Sequence, residues 1–105
     1  MNRVEMLLDM MQTDKNDPFL PYALSLEYVK SGQSSQSIEL LQKLSASHPE
    51  YLPTYYQLGK LLEASGKFSE AIAVYRKGEQ LATEQRDLKT KSELAEAIWE
   101  LEDYS

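Results

Sequence analysis

Displaced against itself by 34 residues, the sequence superimposes like on like, and this self-similarity constrains the fold more than any other feature. Leu24 falls on Leu58, Gly32 on Gly66, Ile38 on Ile72, Leu40 on Val74, Leu41 on Tyr75 and Tyr22 on Tyr56. A repeat of that length is one supersecondary unit, two antiparallel helices joined by a turn. Such a unit cannot bury its apolar face alone, so neighbouring units or flanking helices must cover it.

Local signals read the same way. Asp17-Pro18 is an N-cap followed by Pro at a first helical position. Leu20, Ala23, Leu24 and Tyr28 hold helical spacing until Gly32 closes the helix as a left-handed residue. Ser34 or Ser35 opens a second helix through Ile38, Leu41 and Leu44, which Pro49 forces to end near His48. Tyr55, Leu58 and Leu62 mark a third helix stopped by Gly66, and Ala71, Ile72 and Tyr75 a fourth. No segment sustains a period of two, so the chain is expected to be all helix.

Two further helices flank these. Over residues 2–12, Val4, Leu7, Leu8 and Met11 form an amphipathic stripe. A shift of 34 lays Val4 on Ile38 and Leu7 on Leu41, so this helix has the pattern of the second half of a preceding repeat. After Arg86 a last helix runs to about Asp103, opened by Asp87 or by the capping box Thr90-Lys91-Ser92-Glu93. Leu94, Ala97, Ile98 and Leu101 make its apolar stripe, with Glu93, Glu96, Glu100 and Asp103 opposite.

Residue by residue, the chain resembles the tetratricopeptide repeat family. In Leu52–Gln85, Tyr55 stands at the large aromatic position, Leu58-Gly59 at the Leu-Gly pair, and Leu62 at the next core site. Gly66 occupies the turn, followed by Phe68, Ala71 and Tyr75, while Thr83 replaces the closing Pro. The first unit, Pro18–Tyr51, keeps Leu24, Tyr28, Gly32 and Pro49. It departs at Pro21, where the aromatic belongs, and at Ser25 and Ser37, which stand at small positions. The resemblance covers about two-thirds of the chain. It implies an all-α, right-handed array of helical hairpins. The expected organisation is a single domain over 1–105: a half-repeat helix at 1–16, repeats at 18–51 and 52–85, and a capping helix at 87–103.

Composition bounds the function. The net charge is −6, and the segment from Ser92 onward holds five acids and no base, which disfavours the phosphate backbone of nucleic acids. No Cys is present, so thiolate metal sites and disulfides are unavailable, and a cytoplasmic protein is expected. No apolar run has the length of a bilayer span, and the first residues read as structure in place of a signal peptide. His48 is the only histidine, whereas a zinc site wants several His or Cys ligands; the residue reads as a helix C-terminus. No nucleophile elbow or phosphate loop occurs, and Glu100 and Glu102 read as a solvated face. Neither enzyme activity nor a cofactor or metal is expected.

The family resemblance implies a concave groove lined by the first helix of each repeat. Its positions carry over to Phe19, Tyr22, Leu26, Val29 and Lys30, and in the second repeat to Pro53, Tyr56, Lys60, Glu63 and Ala64. Family members that clamp chaperone carboxylates use Lys and Asn there. Tyr22, Leu26 and Gln57 stand at those positions, so that clamp is absent. Either the groove binds a protein or peptide partner, or its aromatic residues pack under the flanking helices. Trp99 lies off the apolar stripe of its helix, as part of a wide packing face or as an exposed interface anchor. The expected function is a protein–protein interaction scaffold. The alternatives are a structural homodimer that uses the groove for itself, and an accessory subunit of a larger complex.

Overall fold

A computed structural model describes residues 1–103. Its elements are α1 (Arg3–Thr13), α2 (Phe19–Lys30), α3 (Ser34–Ser47), α4 (Pro53–Ala64), α5 (Phe68–Glu84) and α6 (Leu88–Glu102), with no strand among the described residues. The fold is all-α, as the periodicity predicts. Two compact units make up the chain, the first Met1–Tyr51 and the second beginning at Leu52.

In the first unit α2 packs on both α1 and α3. Leu7 of α1 is buried with Leu20, Ala23 and Leu24 of α2, and Val4, Met11, Tyr28 and Leu40 close around them. The stripe read from sequence needs one correction: Leu8 is exposed, because packing follows Val4, Leu7 and Met11 and leaves Leu8 on the far side of that line. Ser25 and Ser37, at the two small positions of the repeat pattern, are fully buried. Both hydroxyls are satisfied: Ser37 Oγ donates across to the Ser25 carbonyl at 2.9 Å, and Ser25 Oγ to the Tyr22 carbonyl of its own helix at 2.6 Å. The polar substitution thus ties α3 to α2 and leaves no orphaned hydroxyl.

In the second unit α5 packs on α4 and α6. Gly59 of α4 lies directly against the ring of Tyr75, and Gly78 of α5 against Tyr55 and Leu94. Each pair is a large side chain entering a notch that only a missing Cβ leaves open.

The helix ends follow hydrogen-bond chemistry. Asp17 Oδ1 accepts from the Phe19 N–H at 3.0 Å, so the cap is the residue expected, although α2 begins one residue later than Pro18. Neither Ser34 nor Ser35 supplies a capping hydroxyl, and Gln33 precedes α3 without a side-chain cap bond. Of the two candidates at α6, Asp87 is the cap, accepting from Thr90 N at 3.1 Å and from Thr90 Oγ1 at 2.8 Å. Those bonds hold its carboxyl below the ordinary carboxylate range. Its contribution to stability is therefore present at neutral pH and lost as pH falls through the lowered value.

Gly32 and Gly66 adopt φ of 76° and 77° and close α2 and α4 with paired bonds, Gly32 N to Val29 O with Gln33 N to Tyr28 O, and Gly66 N to Glu63 O with Lys67 N to Leu62 O. The same pair closes α5, Arg86 N to Thr83 O and Asp87 N to Ala82 O, but here the left-handed residue is Arg86 at φ 60°. A non-glycine residue in that region costs about 1 kcal/mol or more. Arg86→Gly is accordingly expected to stabilise the protein by about 0.5–1 kcal/mol, read as a higher melting temperature with unchanged helix content. A lower melting temperature would count against the strain assigned to Arg86.

Candidate functional site

The residues expected to face a partner fall in two places, one per unit. In the first unit, α2 carries Phe19, Tyr22, Leu26, Val29 and Lys30. Phe19 is exposed, and Tyr22, Leu26 and Val29 are half-buried. Tyr22 meets Tyr51 edge-on, with ring centroids 5.8 Å apart and planes at 68°. Burial raises the pKa of both phenols, and for Tyr51 the neighbouring Tyr22 and Asp17 raise it further. Both therefore remain neutral hydrogen-bonding groups at physiological pH. Lys30 lies 3.5 Å from Glu27, whose carboxylate also meets Arg3 of α1 at 3.1 Å. These exposed pairs orient side chains more than they stabilise, at about 0.2–1 kcal/mol each.

A separate cleft of about 210 Å³ in this unit is lined by Met11, Pro21, Leu40, Leu44 and the polar groups of Asp17 and His48, and by none of the α2 residues predicted to bind. His48 follows the last turn of α3, with Nε2 3.1 Å from the Asn16 carbonyl and Nδ1 3.1 Å from Ser47 Oγ. It stitches the loop before α2 to the end of α3.

In the second unit, α4 presents Tyr56, Lys60 and Glu63 at one-turn spacing. The Lys60 ammonium stands 5.3 Å from the centroid of the Tyr56 ring and 3.9 Å from Glu63 Oε1. Glu63 Oε1 also accepts from the Tyr75 hydroxyl at 2.9 Å, and the Tyr56 and Tyr75 rings lie 6.2 Å apart. Burial raises the Tyr75 pKa first, and the bond to Glu63 adds to it, so Tyr75 is a fixed donor. Pro53 and Ala64 are exposed and Gln57 is half-buried.

Two recesses open beside this row. One, of about 340 Å³, is bounded by Lys60, Glu63, Ala64, Phe68, Glu100 and Leu101; the other, of about 200 Å³, by Tyr56, Lys60, Glu93, Glu96, Ala97 and Glu100. The fold thus brings α6 and Phe68 to the site, which sequence reasoning misses. The available signal is the acidic face of α6, which by pattern alone reads as solvated. Trp99 is not part of either recess: it is 71% exposed, and Leu88, eleven residues earlier on the same side of α6, is 73% exposed. Among the described residues no group of three His, Cys, Asp or Glu side chains is placed to hold a metal, and no helix is long and apolar enough to cross a membrane. The site offers carboxylates, one ammonium and aromatic faces, groups suited to holding another chain.

Hairpins of antiparallel helices with side-chain notches between them, and an aromatic and charged face on the first helix of each, define a helical-repeat protein. The model of the tetratricopeptide repeat matches residues 52–85. A solution structure of a tetratricopeptide repeat domain protein from Salinibacter ruber superimposes with a TM-score of 0.82 at 37% identity, covering 86% of this chain and 91% of that one. A crystal structure of such a domain protein from the same organism gives 0.81 at 37% identity, covering 85% and 100%. A protein of Bordetella parapertussis shares the fold, with a TM-score of 0.82 at 21% identity over 99% of this chain and 90% of that one. The chain belongs to the tetratricopeptide repeat family. Among curated proteins, a BBSome complex member BBS4 homolog of Drosophila melanogaster is 30% identical over 70 residues, 67% of this chain, and the chain spans 14% of that protein's length. Tetratricopeptide repeats generally mediate protein–protein interaction and are generally scaffolds without catalysis.

Proposed function

We propose that this chain is an interaction scaffold that holds a partner protein or peptide against the first-helix faces of its repeats, by Tyr22, Leu26 and Phe19 on α2 and by Tyr56, Lys60 and Glu63 on α4. The observation that carries this reading is the second unit's pair of accessible recesses, whose walls together contain all three of those α4 residues. Phe19, Val29 and Lys30 extend the face in the first unit. We place the protein in the cytoplasm on the same reading, since a chain without Cys draws nothing from an oxidising compartment.

The test compares capture of a host partner by the native chain and by a Tyr22→Ser, Tyr56→Ser variant. Aromatic anchors at interfaces contribute about 2 kcal/mol or more each, so the variant should lose capture while helix content stays nearly unchanged. Lys60→Ala, at a residue that is not part of the core, should weaken capture on its own. A double variant that unfolds, together with unaffected capture by Lys60→Ala, would make these residues packing groups only.

Exposed Trp99 and Leu88 support a second reading, self-association or service as an accessory subunit of a complex, through the outer face of α6. The Drosophila relative, named as a complex member, fits the latter. Light scattering would favour self-association if it showed a dimer that Trp99→Ala dissociates.

A further inference from the structure

The two recesses of the second unit share Lys60 and Glu100 in their walls, so they adjoin one another as the two compartments of a divided cleft. The larger compartment is apolar where Ala64, Phe68 and Leu101 meet, and Phe68 remains 41% exposed there. The smaller is acidic. Glu93, Glu96 and Glu100 follow one another along α6 at helical spacing, facing Tyr56 and Lys60. Among the described residues none of these three glutamates has an ion-pair partner. The cation of the cleft, Lys60, is already engaged by Glu63 and the Tyr56 ring. With Glu63 included, the cleft holds four carboxylates against one ammonium.

We infer that this cleft receives a cationic amphipathic segment of a partner protein. An apolar side chain seats against Phe68 and Leu101, and a Lys or Arg about one helical turn along is held by Glu96 and Glu100. This rests on the partner-binding reading above and names the chemistry of the partner. Carboxylates gathered in one cleft repel one another over distances shorter than the roughly 8 Å screening length of physiological salt, and an incoming cation relieves that repulsion. An Arg fork matches a carboxylate pair better than an ammonium does. Glu96 and Leu101 are five residues apart on α6, a rise of about 7.5 Å, somewhat more than the roughly 5.4 Å between neighbouring turns of a bound helix. An acidic segment or a free carboxylate terminus meets four like charges and is rejected.

The experiment titrates the full chain into two fluorescein-labelled, terminally blocked peptides. One is built of Leu, Lys and Ala, and the other carries Glu in place of every Lys. Saturable binding is expected for the Lys peptide, at least about tenfold tighter than for the Glu peptide and weakened by added salt. Amide shifts should concentrate in α4 and α6. The Glu96→Gln, Glu100→Gln pair should weaken the Lys peptide by about threefold to tenfold, and Phe68→Ser should weaken it independently. Asp9→Asn with Glu84→Gln removes the same net charge at exposed positions outside the cleft and should leave affinity unchanged. The inference is overturned by absence of saturable binding, by equal affinity for the two peptides, or by the outside pair weakening binding as much as the cleft pair. A host partner captured through Tyr22 and Tyr56 but indifferent to the Glu96 and Glu100 changes would sink this inference alone and leave the interaction reading standing.

Discussion

Gly59→Ala is expected to destabilise the protein by about 2 kcal/mol, although replacing an interior helical Gly by Ala ordinarily stabilises by about 1 kcal/mol. The reason is Tyr75. A Cβ at position 59 would lie 2.1 Å from Tyr75 Cε1, 2.5 Å from Cδ1 and 2.7 Å from Cζ, well inside contact distance. The ring cannot swing aside freely, because it is completely buried and its hydroxyl is held by Glu63 at 2.9 Å. Overpacking of this kind costs about 1–3 kcal/mol and exceeds the propensity gain. In a domain of this size the melting temperature should fall by roughly 8–16 °C.

A double-mutant cycle makes the claim sharper. Tyr75→Ala alone should cost about 3–5 kcal/mol through the cavity it leaves. With that ring gone, Gly59→Ala has nothing to strike, and its sign should reverse to a gain of about 0.5–1 kcal/mol. The two changes are thus strongly coupled. Additive effects in urea or thermal unfolding would mean that the notch at Gly59 is not filled by Tyr75.

The sequence makes part of this visible. Gly59 stands out as a helix-interior glycine, and Tyr75 as the residue one period after Leu41. That they meet depends on how two antiparallel helices cross, which no local pattern records. The turns at Gly32 and Gly66 are legible because only glycine takes that conformation cheaply. Arg86 performs the same task and is not legible, since arginine carries no such signature. In addition α5, at 17 residues, is longer than α3, at 14, which displaces the turn at Arg86 from the position the repeat would give it. The α4 half of the candidate site can be read from the family pattern. Its other half cannot: Glu93, Glu96 and Glu100 look like any solvated helix face until α6 is seen beside Lys60. The stripe of α1 reads one residue too wide, because Leu7 and Leu8 both satisfy helical spacing and only packing chooses between them.

Removing α1 is the change expected to damage the first unit most. Leu7, 5% exposed, seals Leu20, Ala23 and Leu24 of α2, so a chain lacking residues 1–13 would open that cluster to water. Burial of side chains this size contributes about 1.5–3 kcal/mol each, and an uncovered repeat face either loses structure or finds another surface. The expected result is a large drop in melting temperature or new self-association in light scattering, with hydrogen exchange at α2 amides accelerated. Two single changes assign the effect to packing rather than to lost chain length. Leu7→Ala should cost about 2–5 kcal/mol, in the range of buried leucine truncations. Leu8→Ala, one residue along the same helix and 42% exposed, should cost no more than about 0.5 kcal/mol. Helix propensity favours neither, since both exchange Leu for Ala, so the difference isolates the contact with α2. Equal effects at the two positions would place α1 against α2 in the wrong rotation about its own axis.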